Sequence, residues 1–233
     1  MNDSRVLLVT GASSGIGAAT AKAAVDQGLR VVLAARRKDR LDALASELGA
    51  DRAVAVACDV TDFDQQQATV RAALEHFGRL DAVLANAGFG AKRGFLEESV
   101  EHWRAMVDTN VTGCAFTIRS VLPTLLEQGH GHVLLLGSVA GRRVLPGSLY
   151  SATTWAVAAM GEGLRQELRQ IHENTKIKVT VIAPGAVATP FFDQPPKGAM
   201  QPEDVARAVL YALEQPAHVD INEVLLRPAD QAV

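Results

Sequence analysis

The chain has 233 residues, of which 48% are hydrophobic and 21% charged, and its net charge is −3. That length suffices for one sizeable α/β domain with a full core, and the scattered Lys and Arg residues give no basic face of the kind that nucleic-acid binders carry. The opening apolar run is too short for a secretory leader and no stretch approaches the about 20 apolar residues of a membrane span, so a cytoplasmic protein is expected.

In chain order, short aliphatic runs at 5–10, 30–35, 52–57, 80–85, 131–137, 178–183 and 222–227 read as strands. Several are apolar nearly throughout, as in strands covered on both faces of a parallel sheet. Helical patterns lie between them at 15–28, 38–49, 62–78, 99–129, 149–173 and 201–215. Asp62 opens the third of these, and Pro202, Glu203 and Asp204 open the last, as helix start signals do. The alternation predicts a single doubly wound Rossmann-type α/β domain over 1–233, with about seven parallel strands and helices on both faces. Residues 187–200 fall outside the pattern, carry the pair Pro195-Pro196 and read as a substrate lid. Cys58 and Cys114 lie in apolar periodic segments and read as buried thiols of a reducing compartment, neither a disulfide nor a metal pair.

The first strand runs into TGASSGIG, with Gly11, Gly15 and Gly17 spaced G-x3-G-x-G and Ser13, Ser14 and Ile16 filling the turn. A tight turn opening a helix points free N–H groups and the positive dipole end at an anion, and glycine lets a backbone approach a pyrophosphate. An ordinary glycine-rich turn is the plainer alternative. The second strand ends in AARRKDR. A carboxylate there would hold ribose hydroxyls and repel a 2′-phosphate, whereas Arg36 and Arg37 suit the phosphate. NADP is therefore expected over NAD, with Arg36 ahead of Arg37 because it directly follows the strand; a solvated basic patch is the competing reading. The same arginines argue against a Rossmann methyltransferase.

These residues, together with those that follow, resemble the short-chain dehydrogenase/reductase family in its single-domain branch. Beyond the glycine turn, the resemblance rests on CDVTD (58–62), NAG (86–88), DTNVTG (108–113), LLGSVAG (135–141), YSATT (150–154) and PGAVAT (184–189), in the family's order. Ser138 precedes Tyr150 by 12 residues, the family's usual separation. The tail is more loosely similar to serine and 3-hydroxy acid dehydrogenases. The resemblance implies that Asp59 and Val60 hold the adenine and that Asn86, Ala87 and Gly88 form a structural and adenine-side motif. It places Asn110 in a helix kink that organises water. It also implies that Pro184, Gly185, Val187 and Thr189 meet the nicotinamide, with Thr189 on the carboxamide, and that Tyr150 touches the cofactor besides acting in catalysis. A homodimer or homotetramer through the helices near 99–128 and 150–171 is implied as well, and Ala156, Ala158 and Ala159 would permit close helix approach.

By that resemblance Ser138 orients a carbonyl oxygen and Tyr150 supplies the proton, so the expected substrate is a small or medium carbonyl or alcohol, hydroxy acids included. Phe89, Leu145, Phe191 and Phe192 would line its site, and Lys92, Arg93, Arg142 or Arg143 could meet a carboxylate. The family carries a lysine four residues after the tyrosine, where this chain has Thr154. A free tyrosine titrates near about 10, and lowering it by roughly 3 units takes about 4 kcal/mol of preferential phenolate stabilisation. Threonine can replace a ribose hydrogen bond but not the charge. Three readings follow: an enzyme with a less acidic tyrosine, a non-catalytic NADP(H)-binding sensor or subunit, or a substitution introduced into an ordinary reductase.

Overall fold

The computed structural model describes residues 5–231. The chain runs β1 (Val6–Thr10), α1 (Gly15–Asp26), β2 (Arg30–Ala35), α2 (Lys38–Leu48), β3 (Ala53–Ala57), α3 (Phe63–Phe77), β4 (Ala82–Ala85), α4 (Val100–Val107), α5 (Gly113–Gln128), β5 (Gly131–Leu136), α6 (Leu149–Gln170), β6 (Ile177–Pro184), α7 (Pro202–Leu213) and β7 (Glu223–Leu226). All seven expected strands are present, each within a few residues of its predicted bounds. They form one parallel sheet in the order β3-β2-β1-β4-β5-β6-β7.

Each inner strand feeds two cores. Leu7, Val9, Val31, Leu33, Leu84 and Ile182 face one side, where Leu41 of α2, Ala24 of α1 and Val209 of α7 cover them. Val6, Leu8, Val32, Val83, Val133 and Val179 face the other, under Val70 of α3, Val121 of α5 and Leu164 of α6. A strand whose two faces both need apolar side chains reads as an unbroken apolar run. Asp62 opens α3 by accepting the Gln65 N–H at 3.1 Å. Asp204 opens α7 by accepting the Gln201 N–H at 2.7 Å, behind Pro202 in the first turn.

Three irregularities position the site. The segment expected as one helix over 99–129 is two α-helices joined by a π-helical turn, Asp108–Thr112, that contains Asn110; such turns put a side chain out of the α register. A 3-10 turn, Val139–Gly141, follows β5. The 187–200 segment has little regular structure and closes on itself, with Val187 bridged to Met200.

Candidate active site

The strand order reverses between β1 and β4, and the carboxyl ends of these strands open a cleft of about 620 Å³, the usual ligand position in such sheets. The glycine turn is clamped by Asn86, whose Nδ2 donates to the Thr10 carbonyl at 2.8 Å and the Gly11 carbonyl at 3.3 Å. Gly11 has φ +67°, and a Cβ there would lie 2.7 Å from that nitrogen; one at Gly17 would lie 2.6 Å from the Gly11 oxygen. Neither position accepts a side chain. Gly17 shapes the turn from behind, while Gly11, Ser13, Ser14, Gly15, Ile16, Arg36, Arg37, Asp59, Val60, Asn86, Ala87, Gly88 and Thr189 border the cleft. No acidic residue occupies the first turn of α1, which leaves its positive end open to an anion.

Both arginines after β2 face this cleft, but Arg37 is the one that reaches the turn. Its Nη2 donates to Ser13 Oγ and Ser14 Oγ, each at 2.7 Å, and its Nε to Ser13 Oγ at 3.1 Å. Arg36 has no such contact with the turn. Asp59 is held by its own loop, accepting from the Thr61 N–H at 3.0 Å and hydroxyl at 2.8 Å. Cys58 and Cys114 are free and buried, and burial pushes both thiols up to about 12, which makes them poor nucleophiles.

A second, mostly apolar cavity of about 410 Å³ adjoins the cleft. Phe89, Leu145, Phe191 and Phe192 border it, as expected, with Pro184, Gly185, Val187 and Thr189 on one wall. Phe191 borders both spaces, its ring 5.3 Å from that of Tyr150. Of the four cations considered from sequence, only Arg93 borders this cavity. Arg142 is instead paired with Glu223 of β7 at 2.8 Å.

Ser138 and Tyr150 both border this cavity, with their side chains in hydrogen-bond contact. Ser138 ends β5, accepts the Ala140 N–H at 3.1 Å and donates to the Pro184 carbonyl at 3.4 Å; it caps a turn and faces the cavity at once. That turn sits directly on α6, since a Cβ at Gly141 would lie 2.7 Å from the Thr154 carbonyl oxygen. Tyr150 opens α6 behind Ser148, whose Oγ accepts the Ser151 N–H at 3.1 Å. Burial raises the Tyr150 phenol above its ordinary value, and the Ser138 side chain offsets this only in part.

Thr154 lies one turn on and is buried, at 5% exposure. Its hydroxyl turns back into the helix, donating to the Ser151 carbonyl at 3.0 Å and the Tyr150 carbonyl at 3.3 Å. Asn110 is fully engaged: it accepts the Phe89 N–H at 3.0 Å and donates to the Phe89 carbonyl at 2.9 Å and Thr153 Oγ1 at 3.1 Å. Thr153 in turn donates to the Tyr150 carbonyl at 2.8 Å. This link from the π-helical turn to the tyrosine's helix has no sequence signal, and neither does Gln231, which also borders the cavity.

The family model for short chain dehydrogenases matches residues 5–198. An uncharacterized oxidoreductase of Staphylococcus haemolyticus is 43% identical over 228 residues, 96% of this chain and 97% of that protein. Among solved structures, serine dehydrogenase from Escherichia coli superposes with a TM-score of 0.88 at 33% identity, covering 98% of this chain and all of that one. An alcohol dehydrogenase from Thermococcus sibiricus complexed with 5-hydroxy-NADP gives 0.88 at 32% identity, covering 98% of each chain.

Proposed function

The chain belongs to the short-chain dehydrogenase family, and from that membership we propose that it is an NADP(H)-dependent oxidoreductase interconverting a small or medium carbonyl and its alcohol. The observation that carries this reading is the meeting of Ser138 and Tyr150 in an apolar cavity that opens onto the glycine-turn cleft. The cleft suits a dinucleotide: side chains are excluded at Gly11 and Gly17, and Arg37 lies against Ser13 and Ser14 of the turn, where its charge would meet a bound phosphate. Gly11, Ser13, Ser14, Gly15 and Ile16 would hold the pyrophosphate, Asp59 and Val60 the adenine, and Val187 and Thr189 the nicotinamide, which when bound supplies or accepts the hydride. The chain's own part is then to hold the carbonyl oxygen with the Ser138 hydroxyl and pass it the Tyr150 proton, while Phe89, Leu145, Phe191 and Phe192 keep water from the reacting carbon.

NADPH oxidation over a panel of ketones and 3-oxo acids tests the reading. Carbonyl-dependent oxidation that Tyr150→Phe abolishes is the expected result; oxidation that persists in that variant would remove the tyrosine from the chemistry. The second reading, a non-catalytic NADP(H)-binding protein, is favoured by one observation: Thr154 brings no charge to the buried phenol.

The preference for NADP rests on Arg37 at the turn and on the lack of a carboxylate at the end of β2. Arg37→Ala is expected to weaken NADPH binding about 10- to 100-fold, as for loss of a charge-assisted bond, and to leave NADH binding nearly unchanged. Fluorescence titration of both nucleotides reads this, and an equal loss for both would assign Arg37 to shaping the turn alone. An association of copies through α5 and α6 is supported by the apolar groove that Ile118, Leu122, Leu126 and Met160 form between them and by Trp155, which is 44% exposed. The two free, buried thiols suit a reducing cytoplasm.

A further inference from the structure

Past β7 the chain turns back over the active-site loop. The Gln231 N–H donates to the Pro228 carbonyl at 3.0 Å, which directs the side chain toward the loop that leaves β6. There Gln231 Oε1 accepts the Ala186 N–H at 2.9 Å. That amide lies just beyond the end of the sheet and has no strand to bond, and a backbone donor in such a place needs a partner. The fit is close: a Cβ at Gly185 would lie 2.7 Å from the Arg227 Cβ and would also collide with Gln231 Oε1. The preceding residue, Asp230, lies over the far end of the lid, where a Cβ at Gly198 would come 2.8 Å from its carboxylate. Between these two points the lid closes on itself. The Met200 N–H donates to the Ala186 carbonyl at 3.0 Å, and the Ala188 N–H donates to the Met200 carbonyl at 2.8 Å. Two consecutive tail residues therefore touch both roots of the 187–200 segment, and one of them borders the substrate cavity.

We propose that Gln231 is a positioning residue: by holding the Ala186 N–H it fixes the backbone that presents Val187 and Thr189 at the base of the lid. The proposal rests on the reading that this loop meets the nicotinamide. Its chemistry is specific. The contact needs an acceptor at the end of a three-carbon side chain, so Glu can replace Gln while Leu, of similar size, cannot.

The test compares Gln231→Leu and Gln231→Glu with the parent chain by hydrogen exchange of the peptides covering 185–189, NADPH titration and thermal unfolding. In Gln231→Leu the amides of this segment are expected to exchange about tenfold faster, by local opening alone. NADPH should bind about three- to tenfold more weakly, the worth of one hydrogen bond, with the unfolding temperature lowered by no more than a few degrees because the opening is local. Gln231→Glu should keep the parent's protection and affinity. Unchanged exchange in the leucine variant would overturn the contact, and faster exchange with parental NADPH affinity would reduce it to a structural tie without a positioning role. A parent chain that binds no NADPH overturns the functional reading and this role with it. That result is distinct from failure of the proposal alone, in which parent and variants bind equally.

Discussion

Thr154→Lys is expected to raise carbonyl reduction about 10²- to 10⁴-fold, the range in which a well-tuned general acid or base contributes to rate. The expectation follows from what surrounds the phenol. Burial raises its pKa, and Ser138, the group that offsets this, carries no charge. Arg93 is the one cation bordering the cavity among the described residues, and it sits on the exposed loop after β4. Thr154 spends its hydroxyl on two carbonyls of its own helix, one of them that of Tyr150. A lysine at this position follows the tyrosine by one helical turn, on the same face, and borders the same cavity. Its ammonium would favour the phenolate as no neutral group in the site does. Comparing the two chains on the same carbonyl panel, with NADPH binding measured for each, decides the matter. A faster lysine variant identifies a reductase scaffold that lacks one charge. Equal and substantial rates would mean that another group activates Tyr150. If both chains bind NADPH and neither consumes it with any carbonyl, the non-catalytic reading holds.

The parts of this site legible in the sequence are those that local chemistry dictates. The strands were readable because each inner strand packs apolar side chains on both faces, as Leu7 and Leu8 do on opposite sides of β1. The glycine turn was readable because its G-x3-G-x-G spacing lies between a strand and a helix in one short stretch, whereas the Asn86 and Ala87 atoms that crowd Gly11 come from beyond β4. Side-chain reach is a different matter. Adjacency to the strand favoured Arg36, yet Arg37 is the residue whose guanidinium turns toward Ser13 and Ser14. The apolar periodicity over 99–129 runs through the π-helical turn unbroken, because widening one turn changes a hydrogen-bond register and not the residue pattern; only the resemblance at DTNVTG pointed to a kink at Asn110, where the turn lies. Two contacts were invisible for a further reason: Asn110 to Thr153 spans 43 residues and Gln231 to Ala186 spans 45. Only the packing of the sheet brings their ends together.

Alcohol oxidation by this chain is expected to climb about tenfold per pH unit from pH 7 to pH 9 without levelling, while carbonyl reduction stays flat over the same range. The two directions need opposite forms of Tyr150. Reduction uses the neutral phenol as an acid. Burial holds the pKa above its ordinary value of about 10, so that form is present in full throughout the range. Oxidation needs the phenolate as a base, and below the pKa its population grows tenfold for each unit of pH. The absence of a plateau thus places the pKa above this window, while the Thr154→Lys comparison reports what would lower it. In the lysine variant the oxidation profile should bend to a plateau inside this window, because the ammonium brings the phenolate within reach of neutral pH. Initial rates at saturating NADP⁺ and a fixed alcohol, taken on both chains at half-unit intervals, read the two profiles. A plateau near neutrality in the unaltered chain would show that the phenol is already acidic, and the charge would then have to come from a group other than the residue four places after Tyr150.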